Sequence, residues 1–99
     1  MLFAVTWTPR PGTTEAIEKR AITLFTNWTP PAGFTFQAFY DYADGDGGIA
    51  IVEVNSAETM MEGLAPWGVF FQFSARPLVS SESAIPILQK AHTWRDSVK

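Results

Sequence analysis

A turn rich in aspartate and glycine, at residues 43–48, constrains the fold more than any other feature of this sequence. It separates two apolar runs, residues 34–42 and 49–54, that alternate as strands do. Asp-Gly pairs supply the positive φ angles that tight hairpins need. The middle of the chain is therefore predicted to form a β-hairpin.

The segment before the hairpin is predicted to form a strand and a helix. Residues 2–8 are β-branched and aromatic, and the Pro-rich stretch 9–12 stops them. Thr13 or Thr14 can then cap a helix that ends at residues 29–33, because proline cannot continue it. Apolar residues at helical spacing form one face of this helix: Ile17, Ala21, Leu24 and Trp28.

The segment after the hairpin is predicted to form a helix, a strand and a last helix. A start resembling a capping box at Asn55 predicts a second helix that ends before Pro66. Residues 69–79 form a fourth strand, and Pro77 suits a strand end or a sheet edge. Serines at 80–83 can cap a last helix, whose apolar residues share one face: Ile87, Leu88, Ala91, Trp94 and Val98.

The order strand, helix, strand, strand, helix, strand, helix predicts an α+β fold. Right-handed crossovers leave few ways to assemble it, and the simplest is a ferredoxin-like βαββαβ antiparallel sheet with two helices on one face. Strands one and three are then adjacent in the middle. We expect a single domain over residues 1–99, with residues 80–99 as a C-terminal helical extension.

Alternation along the strands sorts their residues onto two faces of the sheet. One set is almost wholly apolar and is expected under the helices; on the second strand it contains Phe34, Phe36, Ala38 and Tyr40. The other set mixes large apolar residues with charged ones: Leu2, Phe39, Ile49, Ile51, Glu53, Phe70 and Arg76. A solvent face would not carry so much apolar surface, and a deep core would not carry unpaired charges.

This mixed face predicts a homodimer in which two sheets pack together. The composition agrees, since 46% of residues are hydrophobic and the chain has eight Phe, four Trp and two Tyr. So much apolar surface in a small chain favours an interface. A densely packed monomer is the alternative.

Charge and cysteine content exclude several classes. The net charge is −3 with no basic cluster, so the electrostatic footprint of a nucleic-acid partner is missing. The chain has no cysteine, which excludes disulfides and thiolate chemistry. The first residues have neither the charge nor the apolar length of a signal peptide or membrane span, so a cytoplasmic protein without membrane contact is expected.

Three segments carry a resemblance to a known family. They read MLFAVTWT at residues 1–8, PPAG at residues 30–33 and DGGIAIVE at residues 46–53. Together with Pro11 and Gly12, they resemble a bacterial family catalogued as domain of unknown function 3303, over about the first eighty residues. That family is similar to the dimeric α+β barrel group, in which two ferredoxin-like sheets pack face to face. Several enzymes of that group hold small aromatic substrates or haem between sheet and helices, but the resemblance assigns no activity to any residue.

Aromatic residues are the first candidates for a binding site. Trp7, Trp28, Tyr40 and Trp67 are candidates to line a pocket for a flat apolar ligand on the helix side, although aromatics at this spacing more often form plain core. His92 is the only histidine, and it is either a general base or haem ligand or a surface residue. Together, Trp7, Tyr40, Trp67 and His92 form the predicted ligand-binding set.

Charged residues offer two further candidates. Asp41, Asp44 and Asp46 crowd one turn, but their spacing does not fit a calcium loop, so we expect no metal and no tightly held cofactor. Glu53 and Arg76 are both expected to face the second sheet. They are interpreted as an interface ion pair, with an ion-binding or acid–base pair as the alternative.

Two functional hypotheses remain open. The first is a homodimeric module that binds a small apolar molecule or a protein partner. The second is a cofactor-free enzyme, an oxygenase or isomerase of small aromatic compounds, with His92 or Tyr40 as proton carrier. The scarcity of ionisable groups favours the first, and analogy at the level of fold alone favours the second.

Overall fold

The computed structural model describes residues 1–99 and contains one antiparallel sheet of four strands in the order β2-β3-β1-β4. The strands and helices are β1 (Leu2–Pro9), α1 (Glu15–Thr26), β2 (Phe34–Asp41), β3 (Gly48–Val54), α2 (Ala57–Leu64), β4 (Phe71–Pro77) and α3 (Ser81–Ser97), with a short 3₁₀ helix at Ala65–Trp67. The predicted ferredoxin-like fold is confirmed, with β1 and β3 in the middle and Pro77 ending an edge strand.

Side-chain caps fix where the first two helices begin. The Thr14 hydroxyl accepts a hydrogen bond from the backbone N–H of Ile17 at 3.3 Å. At α2 the cap is Ser56, which accepts from the N–H of Thr59 at 3.1 Å, so the expected cap at Asn55 is wrong by one residue. The Asn55 side chain instead accepts a hydrogen bond from the Thr59 hydroxyl at 2.8 Å, which supports the same turn from outside the helix.

The hairpin between β2 and β3 is present, but β2 contains a β-bulge. Phe36 lies opposite Val52 and Ala38 lies opposite Ile51, so Gln37 has no partner on β3. One extra residue reverses the alternation in the second half of the strand. The predicted faces are therefore wrong there: Ala38 and Tyr40 lie on the face without helices, and Phe39 lies under them.

The core lies between the sheet and α2. Val5, Val52 and Val54 are each at most 2% exposed, and Phe34 and Met60 close the layer between β2 and α2. The first helix contributes much less, because Ala21 is its only buried residue. The sheet is thus well covered at the α2 side and incompletely covered beneath α1.

The other face of the sheet carries no helix. We call it the open face; its half-buried apolar residues are Leu2, Ala4, Ala38, Ile49 and Ile51. Glu53 and Arg76 lie on this face and are exposed. The prediction of a mixed apolar and charged face is thus met on β3 and, for its apolar part, on β1. On β4 this face carries only Gln72, Ser74 and Arg76, because β4 begins at Phe71 and the predicted Phe70 lies before it.

The last helix, α3, extends away from the rest of the chain. None of its residues is buried. The helix ends at Ser97, so the predicted apolar face stops at Trp94, and Val98 lies beyond it with extended backbone. The chain measures 61 × 30 × 21 Å and its radius of gyration is 17.9 Å, whereas a compact chain of this length has about 13 Å. None of the helices combines the length and the apolar character needed to cross a membrane.

An aromatic cavity between the sheet and the first helix

A cavity of about 230 Å³ lies between α1, α2 and the helix-covered face of the sheet. Fifteen of its 17 lining residues are hydrophobic. Nine aromatic rings contribute to its wall: Trp7, Phe25, Trp28, Phe34, Phe36, Phe39, Trp67, Phe71 and Phe73. The arrangement favours a flat apolar molecule, because ring faces and edges supply most of the contact surface.

The bulge in β2 places Phe39 in this wall. The centroid of its ring lies 5.3 Å from that of Trp7 and 4.9 Å from that of Phe36. In a strand without the bulge, strict alternation through Gln37 would direct Phe39 to the open face. The aromatic spacing at residues 34, 36 and 39 is the sequence signal that indicates the bulge.

A glycine in α2 allows the floor of the cavity to close. A Cβ atom at Gly63 would overlap the ring of Phe34, so only glycine lets α2 lie directly on that ring. Phe34 in turn packs edge-on against Phe36, with centroids 5.3 Å apart. This contact joins the buried core to the aromatic wall.

The first helix touches the wall mainly through Phe25. Its ring centroid lies 5.6 Å from that of Phe39 and 5.7 Å from that of Trp67. The small side chain of Ala21 and the exposed Ile22 also line the cavity. Because Ala21 fills little volume, space remains between α1 and the sheet.

Asp41 is the only ionisable side chain that lines the cavity. It lies opposite Gly48 on β3, and Gly48 lies opposite Trp7 on β1. The indole ring of Trp7 occupies the space where a side chain at Gly48 would lie. The cavity can therefore hold an apolar body by contact, with one carboxylate among the lining groups.

The structure brings together only part of the predicted ligand-binding set. Of that set, Trp7 and Trp67 line the cavity, together with the candidate Trp28. Tyr40 does not, because the bulge turns it to the open face, where it is 68% exposed. His92 lies on α3, exposed, with its Nδ1 atom 3.1 Å from the Arg95 Nη2 atom. Phe25 and Phe39 are wall residues that the sequence interpretation missed.

Glu53 and Arg76 do not pair within the chain. The Glu53 carboxylate instead accepts from the amino group of Met1 at 2.7 Å, and that amino group also donates to the Val54 carbonyl at 2.8 Å. Arg76 lies opposite Ala4 on β1 and has no carboxylate partner. Pairing of the two residues between subunits remains a prediction.

Asp44 is the aspartate whose side chain supports the hairpin turn. The Asp44 carboxylate accepts from the backbone N–H of Asp46 at 3.0 Å, and the N–H of Tyr42 donates to the Gly47 carbonyl at 2.8 Å. No three His, Asp or Glu side chains come close enough together to form a metal site. These contacts are those of a solvent-exposed hairpin turn.

Comparison with known proteins gives a family and no activity. A family model described as Domain of unknown function (DUF3303) matches residues 1–92. No curated protein matches the chain. The match covers β1 to β4 and most of α3, so it includes the whole cavity and the open face. The chain belongs to the DUF3303 family.

Proposed function

We propose that this chain is a homodimeric binding module that holds a small apolar molecule in the aromatic cavity. The observation that carries the proposal is the cavity itself, with about 230 Å³ and 15 hydrophobic residues among 17. An apolar cavity of about 150 Å³ holds one benzene molecule. The space beneath α1 therefore suits a ligand of one or two fused rings.

The lining of the cavity supports binding more than catalysis. General acid–base chemistry needs a proton carrier within hydrogen-bond reach of the substrate. Tyr40 and His92, the two candidates for that role, lie outside the wall. Asp41 alone remains, and no second titratable group accompanies it there.

A second copy fits the open face. Four strands about 4.8 Å apart and seven to eight residues long give a face of about 500 Å². Its centre is apolar, at Ile49 and Ile51, and its charged residues Glu53 and Arg76 are exposed. A dry centre with charged groups at the border is typical of protein interfaces.

Filling the cavity tests the binding proposal. We expect Ala21→Leu to weaken binding of 2-naphthol at least tenfold, because the added carbons occupy the space beneath α1. Ala16→Leu is the matched control, since Ala16 lies exposed on the same helix. Isothermal titration calorimetry measures affinity, and ¹⁵N chemical shifts locate the bound probe. Equal affinity of the two variants, or no binding by the wild-type chain, would count against the proposal.

A charge on the open face tests the dimer. We expect Ile51→Glu to give a monomer at micromolar concentration, because two unpaired charges would otherwise be buried near one another. Val69→Glu is the control, because Val69 is an exposed apolar residue outside the strands. Analytical ultracentrifugation distinguishes the two masses. A wild-type chain that sediments as a monomer at every concentration would overturn this part of the proposal.

A further inference from the structure

The last helix exposes an apolar stripe that no part of its own chain covers. Ile87 and Trp94 in the stripe are 63% and 67% exposed, and Leu88 at its border is 60% exposed; no residue of α3 is buried. The link from β4 is short and held in place, because the N–H of Leu78 donates to the Leu2 carbonyl at 2.7 Å. The apolar residues of α3 are therefore accessible to a second chain.

The spacing of the stripe matches that of two paired helices. Ala84, Ile87, Ala91 and Trp94 recur along α3 at intervals of three, four and three residues. Intervals of three and four repeat every seven residues, which is the pattern of the seam between two packed helices.

We propose that α3 pairs with α3 of a second copy, antiparallel and across a two-fold axis level with residue 89. In that register the small Ala84 faces the partner's Trp94, and Ile87 faces the partner's Ala91. Each large side chain therefore meets a small one, so the surface is complementary to itself, as a two-fold interface must be. In this arrangement two copies of the same stripe pack against each other, and no different partner is needed.

The area of the pair fits what a dimer needs. The 17 residues of α3 span about 25 Å, and a helix about 10 Å wide presents about 250 Å². Added to the open face, this brings each subunit to about 750 Å², close to the 800 Å² of a standard stable interface. The open face alone falls well short of that area.

The helix pair rests on the second copy that the proposed function supplies. Two isolated helices of this length associate weakly, because helix formation itself is marginal at about 15 residues. Once the sheets associate, the local concentration of the second α3 rises to the millimolar range. The two contacts thus support each other, but they involve different residues and are tested separately.

Cysteine crosslinking tests the pair directly, because the natural chain contains no cysteine. Leu88 borders the stripe near the axis, whereas Gln89 lies at the same level on the opposite side of the helix. With a short bis-maleimide, Leu88→Cys should yield a species of doubled mass at least ten times faster than Gln89→Cys. Adding Trp94→Glu to Leu88→Cys should remove that advantage. Both cysteine positions are exposed in the single chain, so neither substitution disturbs its fold.

The salt dependence gives a second readout. Lys90 of each copy lies near the axis on the other border of the stripe, so salt should screen their repulsion and speed crosslinking at Leu88→Cys. Equal rates at the two cysteine positions would overturn the pair. If the variants sediment as dimers and Leu88→Cys fails to crosslink, the helix pair is wrong and the sheet dimer stands. If the variants sediment as monomers, the helix pair and the sheet dimer are both wrong.

Discussion

Two glycines of the hairpin turn differ in one respect, the space around them. Gly45 has a φ of 79° and Gly47 a φ of 104°, so both adopt a conformation that favours glycine. A Cβ atom at Gly45 would meet nothing, whereas one at Gly47 would overlap the carbonyl oxygen of Trp7. The end of β1 thus lies directly against the turn.

Alanine at these positions should therefore destabilise the chain unequally. Gly45→Ala carries only the conformational cost, about 1–2 kcal/mol. Gly47→Ala should lower the free energy of unfolding by about 1–3 kcal/mol more than Gly45→Ala does, because the backbone must move away from Trp7. Urea denaturation followed by circular dichroism measures both. Similar losses for the two variants would show that Trp7 does not constrain the turn.

Glu53 illustrates how exposure limits the contribution of an ion pair. The Met1 amino group and the Glu53 side chain are 61% and 49% exposed. Exposed pairs contribute about 0–1 kcal/mol, so Glu53→Gln should lower the free energy of unfolding by no more than that in the diluted monomer. Glu62→Gln, an exposed carboxylate without an ion-pair partner, is the control.

Denaturation at several protein concentrations separates the monomer from the dimer in this comparison. A loss of about 3–5 kcal/mol in the monomer would mean that Glu53 is buried and paired there. A large loss confined to high concentration would instead support the predicted pairing with Arg76 across subunits.

At the scale of an element, β2 shows how one inserted residue changes the role of its neighbours. Phe39 contacts three rings of the aromatic wall, whereas Tyr40 extends from the open face. Phe39→Ala should lower the free energy of unfolding by about 2–3 kcal/mol, less than for a fully buried phenylalanine, since its side chain is 39% exposed. Tyr40→Ala should change it by no more than about 0.5 kcal/mol in the monomer.

Chemical denaturation in the Ile51→Glu background makes this comparison without the open-face contact. The strict alternation of an unbulged strand predicts the reverse order, with Tyr40 as the costly position. That outcome would contradict the bulge at Gln37.

At the scale of the whole molecule, the extension of α3 sets the dimensions of the chain. A monomer with α3 projecting should have a radius of gyration near 17.9 Å, far above the value of about 13 Å for a compact chain. Small-angle X-ray scattering of Ile51→Glu at low concentration measures this directly. A value near that of a compact chain would mean that α3 folds back on its own sheet, and it would also contradict the proposed helix pair.

The sequence by itself determined the order of the elements and the topology of the sheet. The signals for this are local, and each depends on a few neighbouring residues: helix periodicity, proline stops, serine and threonine caps, and the Asp-Gly turn. Right-handed connections then leave one simple sheet order, which the structure has. Trp7 and Trp67 also follow from such patterns, because a large apolar residue on the covered face of a strand or at a helix end points inward.

Only the tertiary structure decided which residues form the cavity. The bulge at Gln37 depends on how β2 pairs with β3, and it exchanges Phe39 for Tyr40 in the aromatic wall. The partner of Glu53 depends on where Met1, just before β1, lies beside β3. The empty space beneath α1 depends on the distance between that helix and the sheet. The register of paired strands and the distance between elements depend on contacts between residues that are far apart in the chain. Local sequence patterns therefore do not determine them.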